Sequence, residues 1–206
     1  MPSGAVHVAG KRPAAFLDRD GVVNEGTGDP ESGLIESPLT VAEVRLLAGA
    51  ADALRTLADA GYALVFVSNQ PAAAKGKAAL EELLAVHERV IELLEREGVA
   101  VDGSCLCPHH PEGRVAGLSG RCECRKPAPG MLLEATRELQ IDLARSWMIG
   151  DTDADVGAGR AAGASTLLIA YPGSAHKRAG AAEADLCAAD LPGGVAKLVG
   201  SAAAGP

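Results

Sequence analysis

Short runs of consecutive apolar residues alternate along the chain with longer segments whose apolar residues recur at helical spacing. Apolar runs of about four to eight residues are typical of strands buried on both faces, and apolar residues three or four positions apart indicate amphipathic helices. The pattern predicts strands at 14–17, 63–67, 104–107, 146–149 and 165–169. It predicts helices at 50–60, 77–97, 131–139 and 153–162. A glycine directly follows three of these helices, where glycine is a common stop signal.

Strands that alternate with helices predict a parallel sheet with helices packed on both of its faces. We therefore expect an α/β fold of the Rossmann-like, doubly wound type. In such sheets ligands bind at the carboxyl ends of the strands. Polar side chains directly follow three of the predicted strands, and they are Asp18 and Asp20, Ser68 and Asn69, and Asp151. The sequence thus predicts a functional site at this edge of the sheet.

The predicted elements follow one another without a linker, so we interpret residues 14–200 as a single domain of ordinary size. Residues 1–13 and 201–206 are interpreted as loose terminal segments. The segment 25–44 contains glycine, proline and acidic residues and is expected to be an ordered or mobile loop beside the site. No apolar run has the length of a signal-peptide core or of a membrane-spanning helix, so we expect a cytoplasmic protein.

Composition narrows the range of partners. Of the 206 residues, 48% are hydrophobic and 22% are charged, as in a packed globular protein, but only 2% are aromatic. So few aromatic side chains argue against a stacking surface for single-stranded nucleic acid. The net charge of -8 argues against binding to a phosphate backbone, which needs clustered lysine and arginine. We therefore expect the partner to be a small ligand and neither nucleic acid nor a membrane. We also expect the protein to be a monomer.

Two carboxylates, Asp18 and Asp20, lie two residues apart directly after the first predicted strand. A plain turn is one interpretation, because aspartate and glycine favour turns. In the functional interpretation, one carboxylate attacks a phosphorus atom as a nucleophile and the other moves a proton to or from the leaving group. Because a phosphoryl group is anionic, such a nucleophile needs cations that offset the repulsion.

The sequence offers candidates for these cations and their ligands. Asp151 also follows an apolar strand and would complete, with Asp18 and Asp20, a carboxylate-rich site of the kind that binds Mg²⁺. Asp155 would face the same way and hold a metal-bound water or orient a neighbour, or else act only as a charge at a helix N-terminus. Lys126 is a candidate counter-charge for the phosphate.

Hydrogen-bond donors for the phosphate come from the end of the second predicted strand. There, Ser68 with Asn69 can donate to a phosphate oxygen through hydroxyl and backbone groups.

A cluster of cysteine and histidine residues indicates a second metal. The pattern C-x-H followed by C-x-C is formed by Cys107, His109, Cys122 and Cys124. Paired soft ligands at such spacing are typical of a tetrahedral, structural Zn²⁺ site, whereas C-x-C is too tight for an easy disulfide. His110 and Cys105 are competing candidate ligands. A zinc ion here would clip the loop at about 105–125 and position Arg125 and Lys126, which directly follow the last ligand.

Four motifs occur in order: D-x-D-G-x-x-N, S-N-Q, R-K-P-x-P-G-M and G-D-x-x-x-D. In this order and spacing they resemble the haloacid dehalogenase superfamily of phosphatases, over about 14–169. By this resemblance, Asp18 matches the nucleophile that forms a phospho-aspartyl intermediate, and Asp20 matches the general acid and base. Ser68 and Lys126 match phosphate-stabilising groups, and Asp151 matches a magnesium ligand. The remaining motif residues are expected to bind substrate, and they are Asn24, Asn69, Gln70 and Arg125.

A zinc loop at this place resembles the subgroup that contains heptose 1,7-bisphosphate phosphatases and the histidinol-phosphate phosphatase domain, which lacks a large cap domain. The resemblance favours His109 over His110 as the zinc ligand. It implies a Mg²⁺-dependent phosphatase with a structural Zn²⁺, acting on a small phosphorylated metabolite, with a heptose 1,7-bisphosphate preferred. Histidinol phosphate is the alternative substrate. A phosphosugar-binding module without catalysis is the alternative outside enzymes.

Departures from the subgroup concern the substrate rather than the chemistry. The subgroup typically has Arg-Gly a few residues after S-N-Q, whereas this chain has Lys75 before the glycine. Lys75 is a candidate phosphate contact, although it lacks the bidentate geometry of arginine, and an exposed loop lysine is the alternative. Thr152 stands where the heptose enzymes often have lysine, and the loop at 25–44 is longer.

Overall fold

The computed structural model describes residues 11–29, 32–180 and 183–203. Within these ranges lie the strands β1 (Ala14–Leu17), β2 (Thr27–Gly28), β3 (Ile35–Glu36), β4 (Ala63–Asn69), β5 (Gly103–Cys107), β6 (Trp147–Gly150), β7 (Ser165–Ile169) and β8 (Leu186–Ala188). The helices are α1 (Ala50–Asp59), α2 (Leu80–Arg96), α3 (Gly130–Leu139), α4 (Asp153–Ala162) and α5 (Leu191–Ala203).

Six strands form one parallel sheet in the order β5–β4–β1–β6–β7–β8. The chain starts in the middle at β1, winds outward through β4 and β5, and returns to the other side of β1 with β6. The winding direction reverses at β1, and ligands bind at the carboxyl ends of strands where this reversal occurs. Asp18 follows β1 at this point, and its N–H donates to the carbonyl of Ile149 on β6 (2.9 Å). The predicted doubly wound α/β fold is confirmed.

Alternate residues of the buried strands point to opposite faces of the sheet. One face packs against α1, α2 and α5, and the other packs against α3 and α4. In β1, Ala15 and Leu17 belong to the first of these layers, and Ala14 and Phe16 belong to the second. All four are fully buried, which explains why this strand is a continuous apolar run rather than an alternating one. Among the described helices, none combines the length and apolar character needed to cross a membrane.

All nine elements predicted from the apolar pattern are present, with ends that differ by a few residues. The helix predicted from residue 77 begins at Leu80, because the N–H of Lys77 closes a turn onto the carbonyl of Ala72 (2.9 Å). The pattern does not predict β8 and α5. Helix α5 contains proline and two adjacent glycines, which have low helix propensity, so its stability comes from packing against α1 and the sheet.

Both ends of the described chain extend into the segments interpreted as loose. The carbonyl of Arg12 accepts a hydrogen bond from the N–H of Asp142 (3.0 Å), and that of Pro13 accepts one from Ala63 (2.8 Å). At the other end, α5 runs to Ala203, beyond the predicted start of the tail at residue 201. Residues 1–10 and 204–206 complete these predicted segments and lie outside the described residues.

The segment 25–44 is organised around the antiparallel pair of β2 with β3. Two ion pairs fasten this hairpin to neighbouring segments: Lys77 Nζ lies 2.5 Å from an oxygen of Asp29, and Lys177 Nζ lies 2.7 Å from an oxygen of Glu36. Within the described ranges this second sheet has only these two short strands, which is far smaller than a cap domain.

A buried histidine in α2 makes the stability of the fold depend on pH. His87 is 5% exposed, its Nε2 lies 2.7 Å from the hydroxyl of Ser104, and its ring meets Phe66 edge-on at 5.6 Å. Burial, followed by the nearby Arg19 guanidinium, lowers the pKa of His87 to about 4, and the Asp20 carboxylate opposes part of this shift. In the unfolded chain His87 is protonated below about pH 6.5, whereas in the folded chain it is protonated only below about pH 4. Between these two pH values the unfolded state binds more protons, so acidification through this range favours unfolding.

We expect the free energy of unfolding to fall by about 2 kcal/mol more between pH 7.5 and pH 5 in the wild type than in the His87→Gln variant, since glutamine cannot titrate. Urea unfolding of both proteins at the two pH values measures this difference. Equal losses in the two proteins would show that His87 does not cause the pH dependence.

Candidate active site

The two carboxylates after β1 have different surroundings. In Asp18, Oδ1 accepts from the N–H of Arg19 (2.8 Å) and the hydroxyl of Ser68 (2.8 Å), and it lies 3.1 Å from Lys126 Nζ. No donor among the described residues is placed on Oδ2. Three donors on one oxygen fix the orientation of the carboxylate and leave the other oxygen with its lone pairs available. Asp18 is therefore held as a nucleophile or a cation ligand would be.

Asp20 is held by nitrogen donors on both of its oxygens. Arg19 makes a bidentate contact through Nε (3.0 Å) and Nη2 (2.8 Å), Asn24 Nδ2 donates to Oδ1 (3.0 Å), and Gln70 Nε2 donates to Oδ2 (2.9 Å). Burial alone would raise the pKa of Asp20, but Arg19 and the hydrogen bonds from Arg19, Gln70 and Ser37 lower it below its usual value. Asp20 is thus an ionised proton acceptor in the free protein.

Asn24 and Gln70 lie behind Asp20 rather than in contact with the space above it. Asn24 is fully buried, and its side-chain oxygen accepts the N–H of Arg45 (3.0 Å). Gln70 is 2% exposed, and its amide nitrogen also donates to the hydroxyl of Ser68 (3.1 Å). Asn24 was predicted to bind substrate; in this geometry its side chain is buried and lies outside the wall of the cavity above Asp18. Both residues fix the orientation of the Asp20 carboxylate.

Lys126 is a buried cation between two carboxylates. It is 3% exposed, and its Nζ lies 3.1 Å from Asp18 Oδ1 and 2.5 Å from Asp155 Oδ1. Burial would lower the pKa of Lys126, but Asp155 and Asp18 raise it, so the ammonium stays charged. The second oxygen of Asp155 accepts from the N–H (3.0 Å) and hydroxyl (2.6 Å) of Thr152 at the start of α4. Asp155 therefore positions Lys126.

Asp151, at the end of β6, is the third carboxylate of the site. It is 2% exposed, and its Oδ1 is buried without a hydrogen-bond partner among the described residues. Its Oδ2 lies against the backbone of Gly21, where any larger residue would place a Cβ 2.1 Å from this oxygen. Burial, followed by the charges of Asp18 and Asp155, raises the pKa of Asp151 to about 8.

These carboxylates form a site that suits a divalent cation. Ligand oxygens of Asp18, Asp151 and Asp155 lie within 4.8 Å of one another, and Lys126 offsets only one of the three charges. Burial raises the pKa of Asp18, Lys126 opposes that rise, and the carboxylates of Asp155 and Asp20 add to it. A hard dication that prefers oxygen ligands, such as Mg²⁺, would offset the repulsion between these carboxylates and would bind the unpartnered oxygen of Asp151.

The composition of this cluster differs from the predicted one. Asp20 was expected to supply a side-chain metal ligand, but its carboxylate is bound by Arg19, Asn24 and Gln70 and lies outside the cluster. Asp155 lies inside it, although both of its oxygens already contact Thr152 or Lys126. A supporting position for Asp155 therefore agrees better with its contacts than direct coordination does.

The remaining predicted substrate-binding residues are distributed around the cavity. Asn69 clamps the backbone of Lys126, since its amide donates to the carbonyl (3.0 Å) and accepts from the N–H (3.1 Å) of that residue. Arg125 is half-buried and donates to the carbonyl of His109 (3.1 Å). Lys75 is exposed and lines the cavity from the opposite turn.

The cavity above Asp18 has a volume of about 280 Å³. Its walls come from the ends of β1, β4 and β6, from the β2–β3 hairpin and from the segment after β7. Predicted residues in the wall are Asp18, Asp20, Ser68, Asn69, Lys75, Arg125, Lys126, Asp151 and Asp155. The topology thus brings together residues that are more than a hundred positions apart in sequence.

The cysteine–histidine cluster has the dimensions of a tetrahedral metal site. The sulfurs of Cys107, Cys122 and Cys124 lie 3.1–3.6 Å apart, and His109 Nδ1 lies 3.7 Å from the first and 3.5 Å from the third. Four ligands around Zn²⁺ at about 2.3 Å would be separated by about 3.8 Å. Burial, followed by the neighbouring sulfurs, raises the pKa of Cys124, which a bound cation would reverse. The residues fit zinc.

The two competing ligand candidates lie outside this cluster. His110 points elsewhere, and its Nδ1 accepts the N–H of Glu112 (3.1 Å). Cys105 lies two residues before Cys107 on β5, where burial raises its pKa to about 11. The geometry therefore separates His109 from His110, which their adjacency in the sequence could not do.

Several residues of the site are not singled out by the sequence. Arg19 is fully buried. In the sequence it stands between Asp18 and Asp20, and a cation between two carboxylates was the available signal for its role. Ser174 and Arg178 donate to the carbonyl of Asp151 (3.1 and 3.0 Å), and Tyr171 joins them in this segment after β7. This segment begins at the carboxyl end of β7, and ligand sites lie at this end of parallel strands, which was the available signal.

Comparison with known proteins identifies relatives over most of the chain. A family model described as HAD-hydrolase-like matches residues 123–193, which include Lys126, Asp151 and Asp155. The D-glycero-beta-D-manno-heptose-1,7-bisphosphate 7-phosphatase of Yersinia pestis is 42% identical over 183 residues, which cover 87% of this chain and 93% of that protein. The protein of the same name from Escherichia coli strain K12 is 38% identical, covering 78% of this chain and 80% of that protein.

Solved structures give the same result. D,D-heptose 1,7-bisphosphate phosphatase from B. bronchiseptica, complexed with magnesium and phosphate, has a TM-score of 0.75 at 29% identity, covering 92% of this chain and 99% of that one. A HAD-like phosphatase structure from Mesorhizobium loti has a TM-score of 0.74 at 33% identity, covering 93% and 86%. The chain belongs to the HAD-like hydrolases, in the family of the D-glycero-beta-D-manno-heptose-1,7-bisphosphate 7-phosphatases.

Proposed function

We propose that this protein is a Mg²⁺-dependent phosphatase that removes the 7-phosphate from D-glycero-D-manno-heptose 1,7-bisphosphate. The observation that carries the proposal is the environment of Asp18, with one oxygen fixed by Ser68 and Lys126 and the other left without a donor among the described residues. The choice of sugar rests on the name shared by relatives that are 42% and 38% identical.

The reaction takes place in two steps at Asp18. An oxygen of Asp18 attacks the phosphorus, the bond from phosphorus to the sugar oxygen breaks, and the proton of Asp20 passes to that oxygen. Water then attacks the phospho-aspartyl group, Asp20 takes up a proton from this water, and the bond between phosphorus and Asp18 breaks to release inorganic phosphate. Lys126 and the hydroxyl of Ser68 hold the nucleophile and face the charge that develops on the phosphoryl oxygens.

Asp20 must be protonated for the first step and ionised for the second. Its lowered pKa in the free protein means that it holds no proton before the substrate binds. The negative phosphate that enters beside Asp20 raises the pKa of this carboxyl, because a like charge disfavours ionisation. Substrate binding therefore favours the proton-donating form.

We assign the two metals to the two clusters. Asp18 and Asp151 would hold Mg²⁺, supported by Asp155 through Lys126, and the ion would supply positive charge beside the transferred phosphoryl group. Zn²⁺ would be held structurally by Cys107, His109, Cys122 and Cys124. A cytoplasmic location, a monomeric state and the lack of nucleic-acid or membrane partners stay predictions from the sequence.

Replacing Asp20 with asparagine is expected to lower kcat by roughly 10²–10⁴-fold, the usual contribution of general acid–base catalysis. Asparagine keeps the shape, and its one oxygen can still accept from Arg19 Nη2 and Gln70, but its amide nitrogen cannot accept from Arg19 Nε or Asn24, and the side chain transfers no proton. Steady-state kinetics with a sugar phosphate and with an activated aryl phosphate test this role. The loss should be smaller for the aryl phosphate, whose leaving group needs no proton, and an equal loss for both would argue against an acid role.

The proposed function is tested by phosphate release with Mg²⁺ from both anomers of the heptose 1,7-bisphosphate and from histidinol phosphate. We expect one phosphate to be released from the β-anomer, with a product that keeps its 1-phosphate by ³¹P NMR. Chelation with EDTA should stop the release, and added Mg²⁺ should restore it. Faster release from histidinol phosphate would overturn the choice of sugar, and no release from any ester would favour a binding module.

A further inference from the structure

Asp151 stands just beyond the part of the chain that the sheet holds. Strand β6 ends at Gly150, whose partner on β7 is Leu168, and this is the last pair of that ladder. Contacts outside the sheet therefore place the backbone of Asp151. Its buried Oδ1, which has no hydrogen-bond partner among the described residues, must be held close to the carboxylate of Asp18 if both are to bind one ion.

Two donors from the segment after β7 hold the carbonyl oxygen of Asp151. The hydroxyl of Ser174 lies 3.1 Å from this oxygen, and Nη1 of Arg178 lies 3.0 Å from it. Ser174 is buried and Arg178 is half-buried, so water has limited access to these bonds. Arg178 lies outside the wall of the cavity above Asp18, and its contacts support the site from behind.

The guanidinium of Arg178 also closes this segment on itself. Its Nη1 lies 2.9 Å from the carbonyl of Tyr171 and 2.7 Å from the hydroxyl of Ser174. The next residue, Ala179, donates its N–H to the carboxylate of Asp153 (2.7 Å). The segment is thus fastened at two points to the turn that carries the third carboxylate of the site.

The contacts of Arg178 are not those of a counter-ion. All three acceptors of its Nη1 are uncharged oxygens, whereas Lys126 lies between two carboxylates. A guanidinium beside a metal site repels a dication, so its charge alone would weaken the binding of Mg²⁺. Any gain in metal binding from Arg178 must therefore come from the geometry that its hydrogen bonds impose.

We propose that Arg178, together with Ser174, is a positioning residue for Asp151, and that its hydrogen bond to the carbonyl of Asp151 directs this carboxylate toward the Mg²⁺ site. This inference rests on the proposed function, since it concerns the metal that the reaction needs. Mg²⁺ demands near-ideal octahedral geometry. Groups that orient a metal ligand without touching the ion typically change metal affinity by about 10- to 100-fold.

The test measures the binding of Mg²⁺ itself, by calorimetric titration of magnesium chloride into the protein without substrate. Arg178→Met removes the donor and the charge, and we expect the Kd for Mg²⁺ to rise about 10-fold or more. Ser174→Ala leaves the net charge unchanged and removes the other donor, so the Kd should rise by about 3-fold. The Mg²⁺ concentration for half-maximal phosphate release should rise by the same factors, while the zinc content stays unchanged.

Arg145→Met is the matched control, because it removes an exposed arginine at the amino end of β6, the end remote from Asp151. It should bind Mg²⁺ as the wild type does. Unchanged or tighter binding by Arg178→Met, with circular dichroism showing that the variant is folded, would overturn the positioning role. If that variant does not fold, unchanged binding by Ser174→Ala would overturn it instead.

The proposed function fails in a different way. A wild type that binds Mg²⁺ but releases no phosphate from any ester would overturn the proposed function and leave the result on Arg178 valid. A wild type that does not bind Mg²⁺ would overturn both the metal assignment and the role of Arg178.

Discussion

Asp18→Asn is expected to lower kcat by roughly 10⁴-fold or more, because the variant loses the only atom proposed to attack phosphorus. The amide keeps the shape of the carboxylate, and its oxygen can still accept from Ser68 and Lys126. Binding of the substrate should therefore persist while turnover is lost. Steady-state phosphate release and substrate titration by calorimetry measure the two quantities separately.

Stability should not fall with activity in this variant. Burial and the neighbouring carboxylates raise the pKa of Asp18, so its ionised form is disfavoured in the folded protein. Removing this charge in the absence of Mg²⁺ should leave the melting temperature unchanged or higher. Asp52→Asn, on an exposed position of α1, serves as the control and should alter neither activity nor melting. Turnover of Asp18→Asn near the wild-type rate would disprove the assignment of the nucleophile.

The positions of the central strands could be predicted from the sequence because these strands are buried on both faces. Such strands read as continuous apolar runs, so β1, β4, β6 and β7 could be placed to within two residues at either end. The edge strand β8 and helix α5 could not be predicted from the apolar pattern. Helix α5 contains residues of low helix propensity and depends on tertiary packing. Local patterns carry no information about such packing.

The site was predictable to the extent that function requires a particular chemical group after a strand. Asp18 and Asp151 were predicted in this way and Lys126 was predicted as their counter-charge, and the structure brings the three together. The contacts of Asn24 with Asp20 and of Asn69 with the backbone of Lys126 could not be predicted, because these hydrogen bonds depend on the folded geometry. An amide beside a carboxylate and an amide facing a ligand have the same appearance in sequence.

Removal of the zinc cluster should affect stability more than chemistry. Cys107 ends β5, while Cys122 and Cys124 lie just before Arg125 and Lys126, so a bound ion joins the sheet to the cations of the site. The N–H of Gly130 at the start of α3 donates to the carbonyl of Glu123 (3.0 Å) between the two cysteines, which couples the cluster to that helix as well. Structural zinc contributes its binding energy to folding.

Cys122→Ser is therefore expected to lose most of the roughly one zinc per chain that the wild type should contain, and to lower the free energy of unfolding by roughly 3 kcal/mol or more. KM should rise, because Arg125 and Lys126 lose their fixed position, whereas mild chelation that removes Mg²⁺ should stop activity without unfolding. Cys187→Ser, at an exposed position far along the chain, should retain zinc, stability and KM. Elemental analysis, urea unfolding and kinetics of the three proteins decide the matter. A wild type purified under reducing conditions without chelator that contains no zinc would show that the four side chains pack together for another reason.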